Sequence, residues 1–158
     1  MNTHSDYIVS KEIYENHDTF KNNQKVVQAR YYLDDLDFKI RVDFVLGFLK
    51  TFNHKRYLFE IQYWDNNDYL FYILNSYNSN YKILENYTGD ESPGLILLDE
   101  ENLNIRFLKE LFQSHYNHDF AIEPSVNIQL YLFLKDKNKL SVIEFYDDRG
   151  FLVNHYLL

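Results

Sequence analysis

The stretch IQLYLFLKDKNKLSVIEFYDDRGFLVNHY, residues 128–156, decides the fold. It contains three runs rich in leucine, β-branched and aromatic residues, at 128–134, 140–146 and 151–156. Polar residues that favour turns separate the runs, which is typical of antiparallel strands joined by hairpins. We therefore predict three consecutive strands, with one turn at 135–138 and a second at 147–150.

The second turn contains the sequence Asp147-Asp148-Arg149-Gly150. Aspartate accepts hydrogen bonds from backbone amides two residues on, and we expect Gly150 to supply the positive φ that closes a four-residue loop. The two carboxylates could instead bind Mg²⁺ or Ca²⁺, with Arg149 holding an anionic group. Hard cations need further oxygen ligands, however, and no nearby spacing identifies them. The pattern favours a turn. Binding of a protein partner by this turn is an alternative that the sequence does not exclude.

Upstream, apolar and polar residues alternate with the period of two that is typical of half-buried antiparallel strands. In FKIRVDFVL, residues 38–46, apolar side chains alternate with Lys39, Arg41 and Asp43. The alternation predicts two hairpins, followed by two shorter strands. The predicted strands are, in chain order, 26–33, 38–46, 57–64, 69–74, 81–87 and 95–98, with hairpin turns at 34–37 and 65–68.

One helix is predicted with a clear start and a clear apolar face, at 99–115. Asp99 can cap it, and Glu100 and Glu101 suit the positive end of its dipole. Its apolar stripe contains Leu103, Phe107, Leu108, Leu111, Phe112 and His115. A second helix is predicted within 7–20. Hairpin-linked strands with few helices predict one α+β domain over 1–158, built mostly from antiparallel sheet.

The composition argues against several classes of protein. The formal charge of −8 argues against nucleic-acid binding, which depends on lysine and arginine contacts to phosphate. The chain has no cysteine, which excludes disulfide scaffolds and thiol catalysis and fits a reducing cytoplasm. No apolar run approaches the ~20 residues of a membrane helix, and the N-terminus has no secretory signal pattern. We expect a cytoplasmic protein without membrane contact.

Motifs for catalysis are weak. His115 and His118 have a spacing that could present two imidazoles to a metal, so a metal-dependent hydrolase using them with Asp147 and Asp148 is one alternative. Against it, the predicted helix ends there, and glycine-rich phosphate loops and hydrolase signatures are missing. A small-ligand sensor with a pocket between helix 99–115 and the sheet is another alternative. We predict no catalytic residue, no metal ligand and no cofactor.

Acidic residues recur at the predicted loops. If these loops share one end of a sheet, they produce a negative field that steers a basic protein partner towards it. We expect the partner to contact Asp147, Asp148 and Arg149 first, then Asp65, Asp68 and Trp64, because aromatic anchors dominate interfaces. An exposed edge strand also leaves a homodimer open. The acidic sets are Asp34/Asp35/Asp37, Asp65/Asp68, Asp90/Glu91, Asp99/Glu100/Glu101 and Asp147/Asp148.

The C-terminal third resembles a bacterial family of unknown function (domain of unknown function 3885), found mainly in Gram-positive species. The matching residues are NHDF at 117–120, Pro124, the run 128–134 and VIEFYDDRG at 142–150, of which YDDRG is the most specific. The resemblance implies a small α+β protein and brings no known activity. Small acidic proteins of this kind are often immunity proteins or inhibitors, which favours a non-enzymatic binding protein by analogy.

Overall fold

The computed structural model describes residues 3–15, 24–54, 56–65 and 68–157. These residues form four helices and seven strands, and the strands make one antiparallel sheet in the order β1-β7-β6-β5-β2-β4-β3. The predicted α+β class is therefore confirmed. In chain order the elements are α1 (Thr3–Glu15), β1 (Gln24–Tyr32), α2 (Phe38–Leu49), β2 (Tyr57–Tyr63), α3 (Asp68–Ser76), β3 (Tyr81–Glu85), β4 (Gly94–Glu100), α4 (Ile105–Asp119), β5 (Ile128–Asp136), β6 (Lys139–Asp147) and β7 (Gly150–Leu157).

The three C-terminal strands form the two predicted hairpins. Asp136 pairs with Lys139 across the first turn, and Asp147 pairs with Gly150 across the second. The other neighbours in the sheet come from distant parts of the chain, since β1 pairs with β7 and β2 lies between β5 and β4. The predicted pairing of 26–33 with 38–46 and of 57–64 with 69–74 is therefore wrong.

The segment predicted as strand 38–46 is the helix α2. Its buried residues are spaced one helical turn apart, with Val42 and Val45 facing the core together with Leu46 and Leu49. Ile40 and Phe44, which the strand pattern assigned to the buried face, are 48% and 44% exposed. The apolar residues of FKIRVDFVL fit the strand period of two and also the helix period of 3.6. In the sheet, β1 is an edge strand whose partner is β7, and this segment does not pair with it.

The segment predicted as strand 69–74 is the helix α3. Leu70, Ile73 and Leu74 are fully buried and follow the i, i+3, i+4 spacing of one helix face. A short, continuously apolar run cannot be assigned to strand or helix from its period alone. Chain segment β2 is accordingly followed by a helix and not by a hairpin partner; Asp65 has a positive φ of 65°, and 66–67 of the predicted turn lie outside the described residues.

The predicted helix 99–115 is displaced along the chain. Asp99 and Glu100 belong to β4 and pair with Leu58 and Tyr57, so the predicted cap at Asp99 is wrong. The cap is Asn104, whose side chain accepts a hydrogen bond from the Phe107 amide at 3.2 Å. The predicted stripe faces the core, with Leu103 just before the helix. Of the N-terminal helix predicted within 7–20, α1 confirms the first part, and 16–20 lie outside the described residues.

The two faces of the sheet bury different kinds of side chain. One face packs against α2, α3 and α4 in the larger apolar core, around Phe59, Leu132 and Phe145. The opposite face packs against α1 and includes a buried carboxylate, Glu60, which is 2% exposed. Within the described part of the chain, no helix is long and apolar enough to cross a membrane.

The buried Glu60 is compensated by α1. The Tyr7 hydroxyl and the Lys11 ammonium group both donate to Glu60 Oε1, and Gln62 Nε2 donates to Oε2 at 3.3 Å. A buried charge is tolerated only when it is paired and hydrogen-bonded, and these contacts satisfy that requirement. Glu60 therefore joins α1 to the sheet, and these bonds account for the acidic residue in this strand.

Candidate functional site

The loops at one end of the sheet come together through the strand register. Tyr32 pairs with Gly150, and Tyr63 pairs with both Gly94 and Ile128. The ends of β1, β2, β3 and β6 and the starts of β4, β5 and β7 therefore share one end of the sheet. We call this the acidic end; it comprises loops 33–37, 64–65, 86–93 and 120–127, the turn 148–149, and the adjoining Asp68, Asp119 and Asp147.

Carboxylates dominate the acidic end. Four of the five acidic sets in the sequence lie there, whereas Asp99, Glu100 and Glu101 lie at the opposite end, where Glu100 pairs with Tyr57. Arg149 is the only lysine or arginine in the sequence of these segments. The carboxylates are those of Asp34, Asp35, Asp37, Asp65, Asp68, Asp90, Glu91, Asp119, Glu123, Asp147 and Asp148.

The turn between β6 and β7 is tighter than predicted. Asp147 Oδ1 accepts a hydrogen bond from the Arg149 amide at 2.8 Å, and Oδ2 accepts from Arg149 Nη2 at 2.7 Å. Gly150 does not have the predicted positive φ; among described glycines only Gly89 does. A Cβ at Gly150 would instead collide with the Tyr31 carbonyl oxygen and lie 2.8 Å from the Tyr146 hydroxyl. Gly150 is needed because β1 approaches closely.

Arg41 of α2 holds the turn from beneath. Its Nη1 forms an ion pair with Asp148 Oδ2, while Nε donates to the Leu36 carbonyl oxygen at 3.1 Å and Nη2 to that of Asp34 at 3.3 Å. Arg41 and Asp148 are 9% and 5% exposed. The predicted partner contact Asp148 is thus directed into the protein. The strand interpretation missed Arg41, because it placed this residue on a solvent-facing side.

The carboxyl group of Asp148 lies among other acidic groups. Burial, together with the neighbouring Asp119 and Asp147, raises the pKa of Asp148 to about 6 against the opposing charge of Arg41. The Asp148 amide also donates to Asp119 Oδ2 at 3.4 Å. The end of α4 and the β6–β7 turn are therefore electrostatically linked. In the sequence, the only signal for the contact between Asp119 and Asp148 is that both segments are acidic.

The histidines predicted as alternative metal ligands lie in different environments. His115 is 4% exposed, and burial lowers its pKa to about 4, against the charges of Asp119 and Asp147. The ring is therefore neutral near pH 7. His118 is exposed. No group of three or more histidine, aspartate or glutamate side chains among the described residues could hold a metal ion.

The second predicted set of partner contacts lies at the same end of the sheet. Trp64 is half-buried, and its amide donates to the Asn127 carbonyl oxygen at 3.1 Å. Asp65 is exposed and accepts a hydrogen bond from Asn127 Nδ2 at 3.2 Å, and the exposed Asp68 begins α3. Because β5 separates β2 from β6, the two strands that lead into these sets lie about 10 Å apart across the sheet.

Two exposed apolar residues complete the acidic end. Phe120 and Ile122, directly after α4, are 49% and 43% exposed. The Phe120 ring lies 4.6 Å from that of Phe38 and 5.9 Å from the Arg41 guanidinium carbon. An apolar contact patch therefore lies beside the carboxylates. The sequence interpretation missed it, because exposure of a single phenylalanine in a loop depends on tertiary packing.

Comparisons with protein families, curated proteins and solved structures found no match for this chain. The resemblance of residues 117–150 to a bacterial family therefore stays a prediction. Function has to be argued from the geometry of the acidic end and of the remaining surface.

Proposed function

We propose that this protein is a non-enzymatic binding protein that docks a basic protein partner on its acidic end, in the manner of an immunity protein or inhibitor. The observation that carries the proposal is the placement of carboxylates from five separate segments around one end of the sheet. Such a field accelerates association with a cationic surface and selects against acidic partners. The lack of cysteine fits a reducing compartment, and we propose the cytoplasm.

The contacts that support docking differ in accessibility. Asp34, Asp35 and Asp37 are exposed and can meet lysine or arginine on the partner. Phe120 and Ile122 can supply apolar contact, which interfaces need at their centre. Asp147 already binds Arg149, whose side chain is 70% exposed, so this pair orients an arginine outwards. Asp148 contributes indirectly, since it holds the turn on Arg41.

The proposal is tested by capture of a partner from an extract of the native host, with two matched variants. Asp34→Asn/Asp35→Asn removes two charges from the acidic end, and Glu101→Gln/Asp136→Asn removes two from the opposite end. We expect the wild type and Glu101→Gln/Asp136→Asn to retain a basic partner at low salt. The affinity of Asp34→Asn/Asp35→Asn for this partner should be about tenfold lower. Phe120→Ala is expected to weaken binding by a similar factor.

Salt dependence separates this mechanism from apolar association. Surface charges are screened with a Debye length of about 10 Å at 0.1 M salt, so partner affinity must fall as salt is raised. Equal retention of a partner by both charge variants, or affinity that does not change with salt, would contradict docking on the acidic end.

A further inference from the structure

A groove of about 520 Å³ lies between α3 and α4 and extends to Pro124 in loop 120–127. Its walls include Tyr69 from α3, Tyr77 directly after α3, and a stripe of α4 residues from Arg106 to Asn117. This volume is in the range of small-molecule sites, about 300–1,000 Å³. The groove lies between two helices, whereas the sequence interpretation placed a ligand pocket between helix 99–115 and the sheet.

A carboxylate is fixed at the centre of the groove. The Tyr69 hydroxyl donates to Glu110 Oε1 at 2.8 Å, and the Tyr77 hydroxyl donates to Oε2 at 2.7 Å. Burial and the bond to Glu110 raise the pKa of Tyr69 to about 12, so its hydroxyl stays a donor near neutral pH. Each carboxylate oxygen keeps a further lone pair for a donor in the groove.

Two cations lie beside this carboxylate without neutralising it. Arg106 is one helical turn before Glu110, a spacing at which opposite charges usually pair. Instead, the described side chains form no ion pair with Arg106 or with Lys109. The tyrosine hydroxyls both bind Glu110, so the positive charge of Arg106 and the negative charge of Glu110 stay separate as a positive pole and a negative pole, one helical turn apart on α4.

The far end of the groove is closed by internal hydrogen bonds. Gln113 Nε2 donates to Asn117 Oδ1 at 2.9 Å, and Asn117 Nδ2 donates to the Pro124 carbonyl oxygen at 3.0 Å. These amides are largely satisfied by the protein itself. The groups that remain to recognise a ligand are therefore the two cations, the Glu110 carboxylate and the aromatic rings.

We propose that this groove binds a small zwitterion of the amino-acid type. The ligand carboxylate would contact Arg106 and Lys109, its ammonium group would donate to Glu110, and its apolar part would pack on the tyrosine rings. An anion without a positive group would be repelled by the Glu110 carboxylate. A cation without a negative group would be repelled by Arg106. Only a ligand with both charges a few ångströms apart complements both poles.

Three matched probes test this with the full chain. L-Phenylalanine carries both charges, 3-phenylpropanoate lacks the ammonium group, and 2-phenylethylamine lacks the carboxylate. We expect L-phenylalanine to shift the NMR signals of Tyr69, Tyr77 and Glu110 with a Kd of about 1 mM. Each single-charge probe is expected to bind about two- to fivefold more weakly, the effect of losing one partly exposed ion pair. Equal binding of all three probes, or no binding of L-phenylalanine, would overturn the proposal.

Variants locate the two poles. Arg106→Gln/Lys109→Gln is expected to weaken L-phenylalanine binding about fivefold or more and to leave 2-phenylethylamine binding unchanged or stronger. The matched control Lys82→Gln/Lys137→Gln removes two exposed lysines elsewhere and should bind as the wild type. Glu110→Gln should weaken L-phenylalanine binding selectively; because it also affects two tyrosine bonds, its folding is checked by thermal melting. Indistinguishable binding by the cation variant and its control also overturns the proposal.

The two proposals fail separately. Loss of acidic-end binding in the Asp34→Asn/Asp35→Asn variant leaves the groove intact, because neither residue lines it. The Arg106→Gln/Lys109→Gln variant conversely keeps every carboxylate of the acidic end.

Discussion

Arg41 and Asp148, 107 residues apart in the chain, form a buried ion pair that joins α2 to the turn between β6 and β7. The guanidinium group also binds two carbonyl oxygens of the loop that leads from β1 into α2. Two segments of the acidic end, loop 33–37 and the turn 148–149, therefore depend on one side chain. The carboxylates of the acidic end repel one another, which opposes folding. The positive charge of Arg41 offsets part of this repulsion.

Arg41→Met should destabilise the protein strongly. Removing one member of a buried ion pair leaves an uncompensated charge and typically costs about 3–5 kcal/mol. Urea unfolding near pH 7 measures the loss in the free energy of unfolding. Arg149→Met, which removes an exposed arginine from the same turn, should cost less than about 0.5 kcal/mol. Similar losses for the two variants would contradict the anchoring role of Arg41.

Asp148 should favour the folded state in acid. Its pKa is raised from 3.8 to about 6 on folding, so the folded protein binds more protons than the unfolded chain in this range. Its contribution to stability is fully present below pH 3.8 and is lost as pH rises through about 6. The difference in unfolding free energy between wild type and Asp148→Asn should therefore change with pH in this window. A difference that is flat between pH 4 and 7 would show that the pKa is not raised.

His115 should act in the opposite direction. Its pKa is lowered from 6.5 to about 4, so the unfolded chain binds more protons in this range. Its contribution to stability is present above pH 6.5 and is lost as pH falls towards 4, by about 3 kcal/mol. His115→Leu should remove this acid sensitivity, as measured by thermal or urea unfolding across the range. A variant His115→Leu whose stability depends on pH between 4 and 6.5 as steeply as that of the wild type would contradict the lowered pKa.

The part of the fold that the sequence predicts is the part with local pairing. Strands 128–134, 140–146 and 151–156 are joined by tight turns, so each strand finds its neighbour next in the chain. The position of β2 between β5 and β4 has no such signal, because both neighbours are distant in sequence. The segments 38–46 and 69–74 were predicted wrongly because their apolar residues fit both periods, and only packing against the sheet separates them.

The candidate site was predictable to a similar extent. Aspartate-rich loops can be located from composition, and the register of the sheet then brings most of them to one end. The roles within the set could not be predicted, because Asp148 and Asp147 are adjacent and chemically identical. One is buried on Arg41 and the other is paired with Arg149 at the surface. The difference arises because α2 brings Arg41 to Asp148. The sequence analysis predicted a strand at 38–46, so it could not place Arg41 there.

The two glycines Gly150 and Gly47 should respond oppositely to alanine. At Gly150 an added Cβ collides with the backbone of β1, and such overpacking costs about 1–3 kcal/mol or more. At Gly47, inside α2, no atom other than its chain neighbours and the backbone of its own helix lies within 4 Å of the new Cβ. Alanine there should stabilise the helix by about 0.5–1 kcal/mol, because it restricts the unfolded chain. Urea unfolding of both variants measures the two changes in the free energy of unfolding, which should have opposite signs. A neutral effect of Gly150→Ala would show that β1 does not pack against the turn, and would remove the close approach that explains this glycine.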